Sequence, residues 1–388
     1  MKILHLADLH IGLKLHGRDL SEDQRYVLDQ AVRLAAEKAP DAVVIAGDIY
    51  DRALPSSESV QLFDRFITGL TQALPDAAIL LIAGNHDGGR RIDCYRNILE
   101  KQSVYVAGLP PVTEEEHLGC VTLRDEYGEV RVYLLPFVRP SMVRQLVAQP
   151  EEELTYSEAV RRVLARESVD PSVRNVLVSH QFYVPSGSGA DAVERSDAEI
   201  LTVGNIDEVD SAVLEPFDYA ALGHIHRRMC AGAERFMYSG TPMAVSVSES
   251  TQEKGMVLVT LGKKGELAKE FIPLHPLHRV RILEGSAEEI LAQPSEDYVA
   301  VRLTERPGEA DADLGERLRA AFPRLLEIRF TGAVRRPGAL GAEESEDGAG
   351  GGLPEPWELL CHFLGDMDEE EAAIARDVLN TVRERSES

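Results

Sequence analysis

An α/β layered domain, followed by a small α+β module and a helical tail, is what the amino-acid sequence predicts, on three observations. Residues 1–275 alternate short apolar runs with amphipathic stretches, the pattern of strands packed between helices. The strand candidates read as continuous rather than alternating apolar runs, so the sheet should be covered on both faces. Past Leu274 the texture changes twice, first to a compact mixed module and then to a stretch too poor in apolar residues to fold alone.

Taken in order, the strand candidates are Lys2 to Ala7, Ala42 to Ala46, Ala78 to Ala83, Val176 to Val178 and Tyr219 to Leu222. Between the first two lies a helix whose start is marked by Ser21 and Gln24, a capping-box spacing, with Val27, Leu28, Ala31, Leu34 and Ala35 as its buried stripe. A second helix follows Pro55 and carries Val60, Phe63, Phe66, Ile67 and Leu70. The segments HPLHRVRILEGSAEEILAQPSEDYVAVRLTE and DLGERLRAAFPRLLEIRF read as strand, helix, strand, helix, strand. A linker rich in Gly, Glu, Ala and Pro follows, and then two short helices with apolar faces, Trp357, Leu360, Phe363 and Leu364 on one, Ile374, Val378 and Leu379 on the other. Two such helices make no stable core alone and should dock on something.

Composition narrows the function classes. No run of eighteen apolar residues occurs, and the opening MKILHLADLHIG is polar and rich in possible ligands, so a soluble, cytoplasmic protein with no membrane partner is expected. Cys94, Cys120, Cys230 and Cys361 lie far apart, with no C-x-x-C pair, and read as reduced thiols. With 66 Asp plus Glu against 41 Lys plus Arg the formal net charge is -25, which repels a polyanion at long range and argues against a free-standing, high-affinity DNA binder. Part of the acid is clustered in stretches such as Glu114–Glu116, Glu151–Glu153 and Asp366–Glu371, and the basic pairs Arg90-Arg91, Arg161-Arg162 and Arg227-Arg228 remain.

The chemistry sits where strands end. Asp8-Leu9-His10 follows the first strand, Gly47-Asp48 the second, Gly84-Asn85-His86-Asp87 the third, Ser179-His180 the fourth and Gly223-His224-Ile225-His226 the fifth. Carboxyl ends of strands in an α/β sheet face one crevice, so these groups can converge. Two Asp, one Asn and four His offer oxygen and imidazole donors without thiolate, which suits Mn²⁺, Fe²⁺ or Zn²⁺. Seven ligands exceed one site; with Asp48 bridging, each of two ions receives four. Two such ions clamp an in-line displacement at phosphorus, activating water and stabilising the phosphoryl oxygens. Any one of these motifs is also met in a capped turn, and it is their joint occurrence, each behind an apolar run, that points to a metal site.

The set D-x-H, G-D, G-N-H-D, S-H and G-H-x-H resembles the calcineurin-like metallophosphoesterase superfamily. MKILHLADLHIG, GDIYDRALPS, GNHDGGRRIDCYRNIL, DYAALGHIHRR and YSGTPM followed by SES narrow the resemblance to the SbcD family of bacterial double-strand-break nuclease subunits. It implies a β-sandwich flanked by helices over 1–275, a capping domain over 276–331, a flexible linker over 332–353, and helices over 354–388 that grip the coiled-coil base of an SbcC-type ATPase. It further implies a homodimer joined near Leu62–Phe66 or Arg91–Leu99, Mn²⁺ as the metal, and exonuclease and endonuclease action on DNA. Position by position, Asp8, His10, Asp48 and His226 would surround one ion, and Asp48, Asn85, His180 and His224 the other. His86 would be the acid for the leaving oxygen, with Asp87 orienting its ring and Asp51 a further catalytic candidate. Archaeal and eukaryotic relatives carry His at Asp51, where bacterial SbcD sequences resemble this chain; the chain departs from the family at Gly88, often Ser, and at Ala244-Val245, often Lys-Tyr. A DNA-tethering scaffold and a small-molecule phosphodiesterase are the competing readings.

Overall fold

The computed structural model describes residues 1–188, 196, 207–305 and 313–331. The chain divides after Gly332, and the second unit, Ala333–Ser388, lies outside the described residues, as do the linker expected over 332–353 and the helices expected over 354–388.

Two six-stranded sheets form a sandwich. Across the first run Leu267–Pro273, Gly255–Leu261, Lys2–Leu6, Ala42–Ala46, Ala78–Ile82 and Val104–Ala107, the last four parallel and the first two antiparallel to their neighbours. Across the second run Met229–Cys230, Phe236–Tyr238, Tyr219–Gly223, Arg174–His180, Gly128–Leu135 and Gly119–Asp125, with the four inner strands parallel. Successive side chains point to opposite faces. Ile3, Val44 and Leu80 therefore meet Val132, Val176 and Ala221 between the sheets. Leu4, Leu6, Val43 and Ile45 face outward onto the helix Ser21–Lys38 through Val27, Leu28 and Ala31. On the other outer face Leu135, Leu177 and Leu222 pack on Val143, Ala159, Val160 and Val163 of the helices Pro140–Val147 and Tyr156–Ala165. The inner strands Lys2–Leu6, Ala42–Ala46, Ala78–Ile82, Arg174–His180 and Tyr219–Gly223 are covered on both faces, which is why they read as near-continuous apolar runs. His5, the buried titratable side chain of the first strand, spans the interior to bond the Tyr219 hydroxyl at 2.8 Å, and burial drives its pKa down to about 3, keeping the ring neutral.

Two local expectations are corrected. Ser21 is already the first helical residue, its N–H taken by the Asp19 carboxylate at 2.7 Å, and no side chain caps the helix at Leu20. Gln24, read as the second half of a capping box, instead accepts from the Gly12 N–H at 3.0 Å and donates to the His10 carbonyl at 2.7 Å. In the helix Ser57–Ala73, capped by Ser56, the inward position is Ser59, and Val60 is exposed. Phe66 and Leu70 are buried as expected and Phe63 and Ile67 pack against the core, so the difference is confined to the first turn, where the Ser59 hydroxyl meets that of Ser56.

Beyond the sandwich, Val280–Gly285, Tyr298–Leu303 and Leu325–Phe330 form a parallel three-stranded sheet. The helices Ala287–Leu291 and Leu314–Ala321 cover it around Ile290, Val299, Val301, Leu318 and Phe322. Asp23, buried on the first helix, accepts from the His278 backbone N–H at 2.8 Å and from the Tyr298 hydroxyl at 3.1 Å. Neighbouring residues of one helix thus hold two things at once: Asp23 this module, Gln24 the loop that carries His10.

Candidate metal centre

The loops at the carboxyl ends of the parallel strands are laced together by their backbones. The Asp8 N–H bonds the Gly47 carbonyl and the His10 N–H the Asp48 carbonyl, both at 3.0 Å. To aim their side chains inward, Asp8, His10, Asp48 and His224 adopt φ values of 54°, 43°, 47° and 101°. Such conformations cost on the order of 1–3 kcal/mol each and persist where surrounding structure enforces them, as at functional sites. Space is equally constrained. A Cβ at Gly84 would lie 2.1 Å from Asp48 Oδ1, and one at Gly47 would lie 2.3 Å from His180 Nδ1. Gly84→Ala should therefore displace Asp48 and lower stability by about 1–3 kcal/mol, read as a fall in thermal unfolding temperature together with weakened divalent-ion binding; wild-type values of both would show that the loop has room.

Inside this cage the expected donors meet. His10 Nε2 lies 3.1 Å from His226 Nε2 and 3.7 Å from Asp48 Oδ2. His180 Nε2 lies 3.2 Å from Asp48 Oδ2 and 3.0 Å from Asn85 Oδ1, and His224 Nδ1 lies 2.9 Å from the same Asn85 oxygen. Asp8, His10 and His226 form one cluster with ligand-capable atoms within 4.8 Å of one another, and Asp8, Asp48 and His180 another. A third cluster, His10, Asp48 and His86, overlaps both. His180 donates from Nδ1 to the Ala46 carbonyl at 2.7 Å, which turns Nε2 toward Asp48 and Asn85. The Phe137 ring walls the cluster, stacked on His224 at 6.3 Å and edge-on to His180.

The electrostatics fit a cation. Burial pushes the Asp8 carboxyl up to about 7, against the pull of His180 and His226. Burial acts the same way on Asp48, but His180 and His10 outweigh it and hold that carboxyl well below its usual range. His10 is driven down to about 3 by burial, while for His180 the neighbouring Asp48 overcomes burial and lifts the ring to about 9. Asp8 Oδ2 and His10 Nδ1 are buried without hydrogen-bond partners, a costly state unless something is bound there. Carboxylate, amide and imidazole donors with no thiolate suit a hard to borderline divalent ion, so the residues present fit a metal.

Three placements differ from expectation or escaped it. Asp87 does not orient the His86 ring; its carboxylate is occupied by the N–H groups of Ile49, Tyr50 and Gly84 at 2.9–3.0 Å, which joins the loop after Ala42–Ala46 to the loop after Ala78–Ile82. The His86 ring instead donates from Nδ1 to the backbone carbonyl of Asp51 at 2.9 Å, while its N–H bonds Asp48 Oδ1. The Asp51 carboxylate stands 4.0 Å from His10 Nδ1. Glu249, fully buried, accepts from His226 Nδ1 at 3.0 Å; burial would raise its carboxyl, but His226 and Lys254 hold it well below the usual range. Its only signal in the sequence was an acidic residue in the SES triplet behind YSGTPM.

Comparison with known proteins places this geometry. Residues 1–228 match the family described as calcineurin-like phosphoesterase. The chain is 31% identical over 335 residues to the SbcD subunit of nuclease SbcCD from Staphylococcus epidermidis, covering 84% of this chain and 85% of that protein. It is 30% identical over 338 residues to the corresponding protein of Staphylococcus saprophyticus, covering 84% of each. Among solved structures, TT1561 of Thermus thermophilus aligns with 14% identity over 70% of this chain and 98% of its own, with a TM-score of 0.39. With the family pattern over its first 228 residues and relatives at this identity along most of its length, the chain belongs to the calcineurin-like phosphoesterase family and, within it, to the SbcD group.

Proposed function

We propose that this chain is the nuclease subunit of an SbcCD-type complex, cleaving phosphodiester bonds of DNA as an exonuclease on duplex ends and an endonuclease on single-stranded or hairpin DNA. The observation that carries the reading is the convergence of seven donors from five strand ends in one buried, strained cluster, in a chain whose relatives are named as nuclease subunits. Asp8, His10, Asp48 and His226 would hold one ion, and Asp48, Asn85, His180 and His224 the other, with Mn²⁺ the fitting metal. When bound, two such ions activate water and stabilise charge on the phosphoryl oxygens.

The chain's own groups do the rest. His86, fixed through Nδ1 by the Asp51 carbonyl, keeps Nε2 to deliver a proton to the leaving oxygen. Asp48 holds the His86 backbone through Oδ1, which ties the acid to the bridging ligand. The guanidiniums of Arg161 and Arg162 are both paired with Glu158, and Arg162 also with Glu152, which makes this basic pair a weaker DNA candidate. Arg90 and Arg91, exposed just beyond His86, are the better candidates. For a homodimer, the Arg91–Leu99 segment suits better than Leu62–Phe66, because Tyr95 and Ile98 are exposed whereas Phe66 is buried.

Incubating the purified full-length chain with Mn²⁺ and single-stranded DNA, hairpin DNA or bis(p-nitrophenyl) phosphate tests the reading. Cleavage of all three is expected. Cleavage of the small diester alone would favour a small-molecule phosphodiesterase, and cleavage of none a tethering scaffold. No described helix is long and apolar enough to cross a membrane; a cytoplasmic site of action, in DNA repair, replication and recombination, belongs to the same proposal. The partner would be an SbcC-type ATPase, gripped by the apolar faces around Trp357 and Ile374. Deleting residues from Gly352 onward should leave Mn²⁺-dependent cleavage of single strands intact and abolish co-purification with the ATPase. Wild-type recovery of the complex, with a lowered melting temperature of the truncated chain, would show that the tail serves this chain's own stability instead.

A further inference from the structure

Glu249 sits on the short helical turn Val247–Glu249, fully buried, with no direct place among the expected ligands. Its Oε1 accepts from His226 Nδ1 at 3.0 Å and from the Ser246 hydroxyl at 3.0 Å. Its Oε2 accepts from the Val245 N–H and the Thr241 hydroxyl, both at 3.2 Å, and from Lys254 Nζ at 2.7 Å. Lys254, itself buried, turns its ammonium back to the same histidine and donates to the His226 carbonyl at 2.9 Å. One ion pair therefore holds His226 at both ends, ring and backbone.

A buried ion pair carries a desolvation cost that often exceeds its attraction, so it is weak support for a purely stabilising role. What this pair supplies is direction. A carboxylate can only accept, so His226 must carry its proton on Nδ1, and Nε2, 3.1 Å from His10 Nε2, is left with its lone pair. We propose that Glu249, locked by Lys254, is the positioning residue of the first metal position, fixing the tautomer and ring plane of His226 and thereby the affinity of that position alone. The inference rests on the two-metal reading above. Partners that hold a ligating imidazole in this way typically change metal affinity about 10–100-fold when lost.

Two double variants of the full-length protein separate this role from a structural one. Glu249→Gln with Lys254→Met removes both charges but keeps an oxygen that can accept from His226. Glu249→Leu with Lys254→Met removes that oxygen as well. In calorimetric titration of the metal-free protein with Mn²⁺, the Leu variant should lose about 10–100-fold in one of two binding events and the Gln variant should recover most of the loss. Equal affinities in both variants would overturn the proposal. If the Leu variant does not fold, nitrogen-15 NMR of the metal-free wild type decides: a His226 proton on Nδ1 is required, and a ring protonated on Nε2 with Nδ1 bare excludes the proposed role. A wild type that binds no divalent ion would defeat the two-metal reading itself, an outcome distinct from wild-type binding that the variants leave unchanged.

Discussion

Asp48→Asn should reduce Mn²⁺-dependent cleavage of single-stranded DNA at least about a thousandfold, since a bridging carboxylate contributes several kcal/mol of metal-borne stabilisation and each 1.36 kcal/mol is tenfold in rate. Asparagine is the right replacement. Asp48 has a φ of 47° and accepts the His86 N–H, and Asn tolerates that backbone and keeps an acceptor, whereas Ala would confound loss of a ligand with loss of the loop. Initial rates and circular dichroism on the same preparations test this. A folded variant retaining a tenth or more of wild-type activity would remove Asp48 from the bridging role.

His86→Gln should behave differently, losing about 10² to 10⁴ in rate, the range of general acid catalysis, with Mn²⁺ affinity unchanged. Glutamine can still donate to the Asp51 carbonyl that holds the histidine ring, but it cannot transfer a proton. The deficit should therefore be large on DNA, whose alkoxide leaving group needs protonation, and small on bis(p-nitrophenyl) phosphate, whose phenolate does not. Equal deficits on the two substrates, or a parallel fall in Mn²⁺ affinity, would mark His86 as a ligand, a possibility kept in view by its closeness to His10 and Asp48.

Much of this arrangement was legible in the sequence because the strands bearing it are buried on both faces. Apolar runs such as Ala42–Ala46 and Ala78–Ile82 end abruptly at a small residue and a polar ligand, and that contrast survives in one dimension. The rest was hidden for identifiable reasons. Leu267–Pro273 is an edge strand with one face exposed, and its alternating pattern gives little warning that it closes the first sheet. Gly128–Leu135, which delivers Phe137 to the site, carries Arg131 in its middle and is followed by Pro136. The family resemblance implies Asp87 as a partner of His86, yet three backbone N–H groups from two loops claim its carboxylate first. Such groups leave no mark in the side-chain sequence. Glu249 reaches His226 across 23 residues, and a charged residue buried by its partners looks, in sequence, like one on the surface.

The central claim is that two ions share Asp48 while His86 stays outside both. Anomalous diffraction from Mn²⁺-soaked crystals tests it most directly. Two peaks about 3.5–4 Å apart are predicted, one among Asp8, His10, Asp48 and His226, the other among Asp48, Asn85, His180 and His224, with no His86 nitrogen bound to either. A single peak, or one coordinated by His86 in place of His226, would contradict it.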